Sequence, residues 1–519
     1  MRRIPLCFVL LLACGGSDRP SLDAGEDAFV PSDAGVADAR VDTSTPDTGA
    51  VAFNPWDGDP FAAQPDTTEG LVNVGTVDAI LEGGALRGSC DRYFGGVDTS
   101  RRARLRCGKE MFFWDPLGTP GVPSAIVDFV LTEFADEVGP GFSAYGLIPD
   151  PTSDRNLPLG MAPSAPIGGM VANDAFTCAS CHFGQLPDGR YAVGAANHAY
   201  DYGVHNLAII VPASLATPGA DRDEHHPDAL RRLQPLLDHI DADSSGFQLR
   251  ALGALAPLLG ALGGGGLTIP QVDRETEGHY ANWLPGTMDF LIAPLPVDDG
   301  IHTVSKISLL WGLPPEGEWA SAEMDGAHLG FTGVAHSLKN FLRGFIVFGN
   351  GDSAAYPDER LGPLEDYIYS LQAPASLTPP APEAAEGEAL FTSAGCIDCH
   401  DGPRGSGREL YTFEAIGTDD AMRGWLDPEL DGTPCCGLDL VPGDRLSYGI
   451  KSPRLVGLWA AERFLHNGSV SSLETLFCLD GARNRITTPA YSDRGHDFTC
   501  ADDLSAADRQ ALIAYLRSL

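Results

Sequence analysis

The sequence contains two copies of the pattern Cys-x-x-Cys-His, at Cys178–His182 and at Cys396–His400. In this pattern the two cysteines can bond covalently to the edge of a porphyrin, and the adjacent histidine reaches the iron from one side. With 12 cysteines and 13 histidines in 519 residues, chance would supply about 0.007 copies. The predicted attachment cysteines are Cys178, Cys181, Cys396 and Cys399, and the predicted iron ligands are His182 and His400.

Two other chemistries use paired cysteines, and the sequence favours neither. A structural zinc site needs a second pair of cysteine or histidine ligands, and none follows either copy at the spacing of a zinc finger. A thioredoxin-like dithiol opens a helix within a βαβ unit, and no such pattern surrounds the motifs. We therefore predict two covalently bound haem c groups and one-electron chemistry at their irons.

Several further segments resemble a known family, the di-haem cytochrome c peroxidases, and are closer still to its rubber-oxygenase-like branch. The segments that carry the resemblance are Leu157–Gly160, Cys181–Leu186, Arg454–Ala461, Phe464–Val470 and Gly495–Phe498 with the final helix. The chain departs from the branch at Met324-Asp325-Gly326, where relatives have a tryptophan before Asp-Gly. The resemblance implies a reactive N-terminal haem that a C-terminal electron-transfer haem supplies with electrons.

The family resemblance also suggests what lies opposite each predicted proximal histidine. His466 corresponds to a distal histidine of the second haem, and the chain after His400 is long enough to reach that position; Met422 is the alternative. At the first haem, His198 is the candidate catalytic histidine, either as a removable ligand or as an acid or base in the pocket. Phe331 is the second candidate, because its segment lines the distal pocket in the family and an aromatic ring there would keep the iron open.

Other residues near these segments leave alternatives open. Met324 and His328 share the segment of Phe331, and two tryptophans, Trp311 and Trp319, either relay electrons between the haems or belong to the core.

The resemblance leaves room for calcium between the haems but assigns it no ligands. The segment 241–246 half-matches a calcium loop, yet Leu252 stands where that loop needs a glutamate, so a polar turn is the better interpretation.

The elements that must position these residues divide into two domains. The segment 372–382 contains four prolines, which disfavour helix and sheet and predict a stiff linker. We expect an N-terminal haem domain over residues 56–372 and a C-terminal cytochrome c domain over residues 383–519. The fold class is therefore predicted as mainly α, with two cytochrome c-like haem domains and long loop insertions.

Helical periodicity is clearest in the C-terminal domain. A short helix over Glu383–Phe391 places Gly387 and Phe391 on one face, and a last helix begins after Leu504 with a capping box formed by Ser505 and Asp508. In the N-terminal domain, Leu230–Ile240 and His336–Phe348 also have helical periodicity, and no series of alternating strands is evident.

The N-terminus predicts export. A basic start is followed by an apolar run over Ile4–Ala13 that is too short to span a bilayer. Residues 1–14 resemble a bacterial lipoprotein signal peptide with Cys14 as the lipidated residue, and an ordinary secretory signal is the alternative. Residues 15–55 have the composition of a disordered acidic linker. We expect a lipid-anchored protein on the periplasmic side or the outer membrane of a Gram-negative bacterium, bound to the membrane through its anchor alone.

Charge and cysteine usage agree with an exported cytochrome. The formal net charge is -37, from 34 basic and 71 acidic residues, which argues against nucleic-acid binding. Outside the signal peptide, the lipidation site and the haem motifs, six cysteines remain for disulfides in an oxidising compartment. Cys90 with Cys107 and Cys478 with Cys500 form local loops, whereas the adjacent Cys435 and Cys436 leave their pairing open.

The predicted function is that of a di-haem c-type cytochrome with a peroxidase-like oxidoreductase activity. Its partners would be peroxide or dioxygen, together with a small redox protein or a small-molecule electron donor. The alternatives are a non-catalytic periplasmic electron carrier and a dioxygenase of the rubber-oxygenase type. An open or a closed face at the first iron would separate the enzyme from the carrier.

Overall fold

The computed structural model describes residues 67–167, 169–216, 220–261, 274–289, 304–313, 329–331, 337–348, 351–377, 379–406, 411–421, 449–483, 485–488 and 490–519. The predictions for the signal peptide, Cys14, the linker, Trp319, Met324, His328, Met422, Cys435 and Cys436 lie outside these residues. None of the helices within them is both long and apolar enough to span a bilayer.

The described residues are mainly α-helical, as predicted. The α-helices, in chain order from α1 to α17, are Val77–Ile80, Ser89–Phe94, Arg101–Trp114, Ser124–Glu133, Ala135–Val138, Cys178–His182, Tyr202–Leu215, Pro227–Arg232, Gln234–Ala242, Ser244–Ala261, Arg274–Asn282, Leu338–Phe348, Asp358–Ser370, Ala384–Ser393, Phe413–Ile416, Leu473–Leu476 and Ala506–Leu516.

Short strands accompany the helices, and the sequence pattern did not predict them. The strands, in chain order from β1 to β12, are Val74–Gly75, Val122–Pro123, Ile148–Pro149, Pro158–Leu159, Met161–Ile167, Val171–Phe176, Phe183–Gln185, Tyr191–Val193, Thr287–Asp289, Val304–Lys306, Tyr411–Thr412 and Gly449–Ile450. They form two three-stranded sheets, β1-β8-β7 and β2-β6-β5, and three antiparallel pairs, β3-β4, β9-β10 and β11-β12. Most of these strands have two or three residues, which is too short for an alternating pattern to appear in the sequence.

The C-terminal part is built on a close crossing of its first and last helices, α14 and α17. A Cβ atom on Gly387 would lie 2.0 Å from the carbonyl oxygen of Ala511, so only glycine permits this approach. One turn after Gly387, the ring of Phe391 packs edge-to-face on Tyr515, with centroids 5.5 Å apart. The capping box of Ser505 and Asp508 begins α17, as the sequence predicts.

The N-terminal part repeats this crossing with helices α3 and α13. A Cβ atom on Gly108 would lie 1.9 Å from the carbonyl oxygen of Pro363. Phe112, one turn after Gly108, packs edge-to-face on Tyr367, with centroids 5.9 Å apart. The same spacing of glycine and phenylalanine on one helix, and of the contacted carbonyl and tyrosine on the other, thus occurs in both parts of the chain.

The apolar core consists of three clusters. The first is built largely from the helices α4, α7, α9 and α10, the second contains the α3–α13 crossing, and the third contains the α14–α17 crossing. Cys181 packs against the first cluster and Cys178 against the second. Cys396 packs against the third cluster. The first Cys-x-x-Cys-His motif therefore lies where two cores meet.

Other local predictions can be compared directly with the structure. The disulfides Cys90–Cys107 and Cys478–Cys500 are both present. The helix predicted over Glu383–Phe391 is α14, and the one predicted over His336–Phe348 is α12. The segment Leu230–Ile240 belongs to two helices, α8 and α9, which break at Leu233.

Candidate functional site

The first motif forms the short helix α6, directly after the hairpin of β5 and β6. Its N-cap, Thr177, donates a hydrogen bond through its hydroxyl to the carbonyl oxygen of Phe113 in α3, which anchors the motif to the α3–α13 pair. Both thiols are free. Burial raises the pKa of Cys178 to about 12 and that of Cys181 to about 11.

His182 is oriented by a single backbone carbonyl. Its Nδ1 atom lies 2.9 Å from the carbonyl oxygen of Ser308, and because a carbonyl only accepts hydrogen bonds, Nδ1 carries the proton. The lone pair on Nε2 is then available to a metal. Burial lowers the pKa of His182 to about 4, so the imidazole is neutral at physiological pH, as an iron ligand must be.

The second motif repeats this arrangement. Cys396–Asp398 forms a 3-10 turn, both cysteines of the motif are free, and the Nδ1 atom of His400 lies 2.6 Å from the carbonyl oxygen of Gly405. Burial lowers the pKa of His400, and the hydrogen bond to Gly405 opposes that shift only in part. All four free cysteines among the described residues belong to the two motifs.

A second imidazole lies close to that of His400. The ring of His496 has its centroid 6.5 Å from that of His400, with the two planes at 47°. Two imidazoles that hold one metal from opposite sides have centroids roughly 6 Å apart, from two metal–nitrogen bonds of about 2 Å and about 1 Å within each ring. Burial and the neighbouring His400 lower the pKa of His496 to about 3, so this ring is also neutral. The pair has the separation that a six-coordinate iron requires.

His496 has no role among the sequence-based predictions, although the segment that contains it is part of the family resemblance. Its backbone has a positive φ of 54°, and its carbonyl oxygen accepts a hydrogen bond from the buried Arg483. The sequence signal that could have identified His496 is its position in the family-like segment just before the last helix. The long separation from His400 along the chain hid their proximity, which only the fold creates.

His466, the predicted distal ligand, lies in the same region. Its Nδ1 atom is 3.3 Å from the hydroxyl oxygen of Thr418, its carbonyl oxygen accepts a hydrogen bond from the backbone of Lys306, and its ring packs against Phe413. Burial lowers its pKa to about 4. His466 remains a predicted distal ligand, with His496 as the alternative that the ring separation favours.

The two catalytic candidates of the first haem have contacts with the C-terminal part. The Nε2 atom of His198 accepts a hydrogen bond of 3.1 Å from the backbone of Glu462, and its buried Nδ1 has no partner among the described residues. The carbonyl oxygen of Phe331 accepts a hydrogen bond from the backbone of Lys451. Neither contact decides a catalytic role, so both assignments remain predictions.

Three basic side chains near the motifs, of which Lys451 is buried and the other two are partly buried, have no carboxylate partner among the described residues. Lys451 donates to the hydroxyl oxygen of Ser406 at 3.0 Å, and Arg454 donates to the carbonyl oxygens of Trp311 and Leu309. Burial lowers the pKa of Lys451 to about 7, that of Lys306 to about 8 and that of Arg454 to about 10. Buried cations are costly unless an anion accompanies them. The propionates of haem are anions of the required kind, so these side chains fit the group that the motifs predict.

One segment of the chain contacts both sites. In Val304–Leu313, the carbonyl of Ser308 orients His182, and the backbone of Lys306 donates to His466. Trp311, 1% exposed, donates its indole N–H to the carbonyl oxygen of Val193. Its ring lies within 2.7 Å of the Cβ positions that side chains on Gly194 and Gly457 would have, so glycine is needed on both sides. The indole thus fills the space between the two parts.

The described residues show no cluster of acidic side chains that marks a calcium site, and calcium stays a prediction. They contain no group of three or more His, Cys, Asp or Glu side chains that could hold a metal ion. In the segment resembling a calcium loop, Asp241 pairs with Arg222 and Asp243 pairs with Arg250. The segment is the junction of α9 and α10, and only Asp243 lies in a turn, so the predicted polar turn is confined to that residue.

Comparisons with known proteins add little to this geometry. No family model matches the chain, and no curated protein matches its sequence. Among solved structures, the chain is similar to a hydrazine synthase of Kuenenia stuttgartiensis with 18% identity over 46% of this chain and 79% of that one. The TM-score is 0.26, and at that value the likeness carries no argument about fold or function.

Proposed function

We propose that the protein is a di-haem c-type cytochrome that acts as a peroxidase-like oxidoreductase. The observation that carries the proposal is the repeated donor set. Twice, a pair of free cysteines lies beside a histidine whose burial favours the neutral form and whose Nδ1 lies against a backbone carbonyl, which leaves the lone pair of Nε2 for iron. Bound haem would supply one-electron chemistry at its iron.

At the C-terminal haem, the chain would hold the iron from both faces. Cys396 and Cys399 would attach the group, and His400 and His496 would hold its iron, with His466 as the alternative to His496. Two nitrogen ligands close the iron to small molecules and favour electron transfer. Lys451, which is buried, and Arg454, which is partly buried, would balance the charge of the propionates.

At the N-terminal haem, Cys178 and Cys181 would attach the group and His182 would hold its iron. We assign this site the reaction with peroxide, or with dioxygen in the alternative oxygenase function. His198 and Phe331 remain the candidates for residues that act on its distal side. The contact of the motif with two cores would exclude bulk water from the group, which strengthens electrostatic interactions around it.

Electrons would pass between the sites through the segment Val304–Leu313. Trp311 fills the space between the parts, and the same segment is hydrogen-bonded to His182 and to His466.

The repeated helix crossings, α3 with α13 and α14 with α17, support two cytochrome c-like haem domains. The electron donor is proposed to be a small redox protein or small molecule, and the compartment is proposed to be the periplasmic side of a Gram-negative envelope, reached by a lipoprotein anchored at Cys14.

Mass spectrometry and absorption spectroscopy of protein produced with a haem-attachment system test this proposal. We expect two covalent haems on the native chain, and one haem on each of two variants that replace a motif's cysteines with serine, at Cys178 and Cys181 or at Cys396 and Cys399. A chain that folds with its disulfides formed yet binds no covalent haem would contradict the proposal.

A further inference from the structure

A row of aromatic rings leads away from the first haem motif. Tyr200 lies 6.1 Å from Tyr202, Tyr202 lies 6.0 Å from Tyr280, and Tyr280 lies 4.8 Å from Trp283, measured between ring centroids. Phe176, two residues before the motif, lies 6.3 Å from Tyr200. Tyr200, Tyr202, Tyr280 and Trp283 are all 3% exposed or less, so the row runs through the core. The rate of electron transfer falls steeply with distance. Successive rings at these separations would allow an electron to cross the core in several short steps.

The inner end of the row is tied to the haem motif. The backbone of Asn197 donates to the carbonyl oxygen of Cys181, and the backbone of Tyr200 donates to the carbonyl oxygen of Asn197. Burial raises the pKa of Tyr200, and the nearby thiol of Cys181 raises it further. Tyr200 therefore lies beside the cysteine that would join the chain to the first haem.

Two tyrosines of the row have a proton acceptor in place. A tyrosine that loses an electron becomes a strong acid, and its oxidation is easy only when a base can take the phenolic proton. The phenol oxygen of Tyr200 is 3.1 Å from the Nδ1 atom of His205, and the hydroxyl of Tyr280 donates to the carboxylate of Asp289 at 2.9 Å. Burial lowers the pKa of His205 to about 3, so its ring is neutral and can accept a proton from an oxidised tyrosine.

The outer end of the row reaches a surface cleft of about 500 Å³. Trp283 lines this cleft, and its indole N–H has no hydrogen-bond partner among the described residues. An indole can give up an electron without losing a proton, so this last position needs no base. The cleft combines aromatic and apolar walls with polar side chains; its lining includes Trp283, Tyr491, Ile486, His226, His279 and Asp228.

We propose that Tyr200, Tyr202, Tyr280 and Trp283 form an electron relay through which an aromatic substrate of the phenol or arylamine class, bound in this cleft, supplies electrons to the first haem site. The relay rests on the proposed reaction with peroxide and gives it a second electron source, distinct from the C-terminal haem. The aromatic walls of the cleft fit a planar ring, and its histidine and aspartate side chains can accept hydrogen bonds from a hydroxyl or amino group.

The chemistry balances with peroxide as the oxidant. One hydrogen peroxide accepts two electrons and two protons and becomes two waters as its O–O bond breaks. Two substrate molecules each lose one electron and one proton from an O–H or N–H bond and become radicals. Within the chain, Trp283 takes an electron from the substrate and passes it to Tyr280. Tyr280 and Tyr200, once oxidised, recover the protons that Asp289 and His205 held, and the ring of Tyr202 lies between them and bridges the transfer.

The test uses the holoprotein with hydrogen peroxide and a simple phenol. Rapid freeze-quench electron paramagnetic resonance without phenol should detect tyrosyl and tryptophanyl radicals, assigned with deuterated amino acids, and Trp283→Phe should remove the tryptophanyl signal. Phenol oxidation should fall by about tenfold or more in Trp283→Phe and in Tyr280→Phe. Trp114→Phe is the matched control, because that indole bonds Asp150 outside the row and should change neither measurement.

The readouts separate the relay from the peroxidase function. If peroxide oxidises the reduced haems but Trp283→Phe oxidises phenol at the native rate, the relay is refuted and the peroxidase function stands. If no aromatic radical forms, the relay is likewise refuted. If peroxide does not react with the haems at all, both proposals fail.

Discussion

At the residue scale, the two predicted haem sites differ in whether a second imidazole lies near the predicted proximal histidine. His400 has a second neutral imidazole, that of His496, at the separation of two ligands on one iron. His182 is oriented in the same way as His400, through a hydrogen bond from Nδ1 to a backbone carbonyl. Fixing the tautomer in this manner also raises the basicity of the ligand nitrogen. The orientation of both proximal histidines therefore depends on main-chain atoms, which substitutions elsewhere leave in place.

Replacing His496 with glycine should open the second iron. If His496 is the distal ligand, its loss leaves one face free, and the reduced variant should bind one more carbon monoxide per molecule than the native protein. The matched variant His466→Gly should leave the native carbon monoxide count unchanged. If His466→Gly added a binding site and His496→Gly did not, the sequence-based assignment of His466 would be correct and the geometric one wrong.

At the element scale, each part of the chain depends on a glycine at the crossing of two helices. Gly387 allows α14 to approach the backbone of α17, and Gly108 allows α3 to approach that of α13. The sequence predicted the two helices of the first crossing, α14 and α17, from their periodicity and a capping box. It did not indicate the crossing of α3 with α13, although Gly108 and Phe112 have the spacing of Gly387 and Phe391, because the partner helix lies far along the chain.

Separation along the chain also decides which parts of the site could be predicted. The Cys-x-x-Cys-His motifs and the two local disulfides involve residues that are near in sequence. His496, the carbonyl of Ser308 and the row ending at Trp283 meet their partners only through tertiary packing. Periodicity and spacing carry no information on such long-range contacts.

Gly387→Ala should destabilise the C-terminal part. The added methyl group would overlap the carbonyl oxygen of Ala511, and overpacking of this kind costs about 1–3 kcal/mol. Chemical unfolding followed by circular dichroism measures the change. Gly253→Ala is the control: this glycine lies in α10 with open space around its Cβ position, and the substitution should stabilise the helix by about 0.5–1 kcal/mol. Equal unfolding free energies for native protein and Gly387→Ala would contradict the tight crossing.

His239 should make the packing of α9 on α4 and α5 dependent on pH. Burial opposes its charged form, but hydrogen bonds to Glu137 and Glu133 outweigh burial and raise the pKa of His239. The ion pair of protonated His239 with these carboxylates therefore stabilises the fold fully when the pH is below the pKa of histidine in the unfolded chain, about 6.5. This contribution is lost as the pH rises through the higher pKa of His239 in the folded protein. Unfolding free energies of native protein and His239→Gln, measured across this range, should converge at high pH. A constant difference between them would exclude this role.

At the scale of the whole molecule, the net charge of -37 should govern association with electron donors. An acidic protein attracts cationic partners over long distances, and salt screens the attraction. Reduction of the holoprotein by a small basic redox protein should slow steeply between about 0.01 and 0.15 M ionic strength. Reduction by a small neutral reductant is the control and should be nearly independent of salt. Equal salt dependence for both donors would show that charge does not steer the encounter.

The proposed function requires that the molecule hold two haems, one with an open iron and one with two histidine ligands. A carbon monoxide titration of the fully reduced protein, followed by its visible spectrum, tests this most directly. We expect one carbon monoxide per two haems. Binding should be lost in the variant with Cys178 and Cys181 replaced by serine, which lacks the first haem, and one carbon monoxide should still bind when Cys396 and Cys399 are replaced instead. If the native protein bound no carbon monoxide, both irons would be closed, the molecule would be an electron carrier, and the proposed peroxidase function would be wrong.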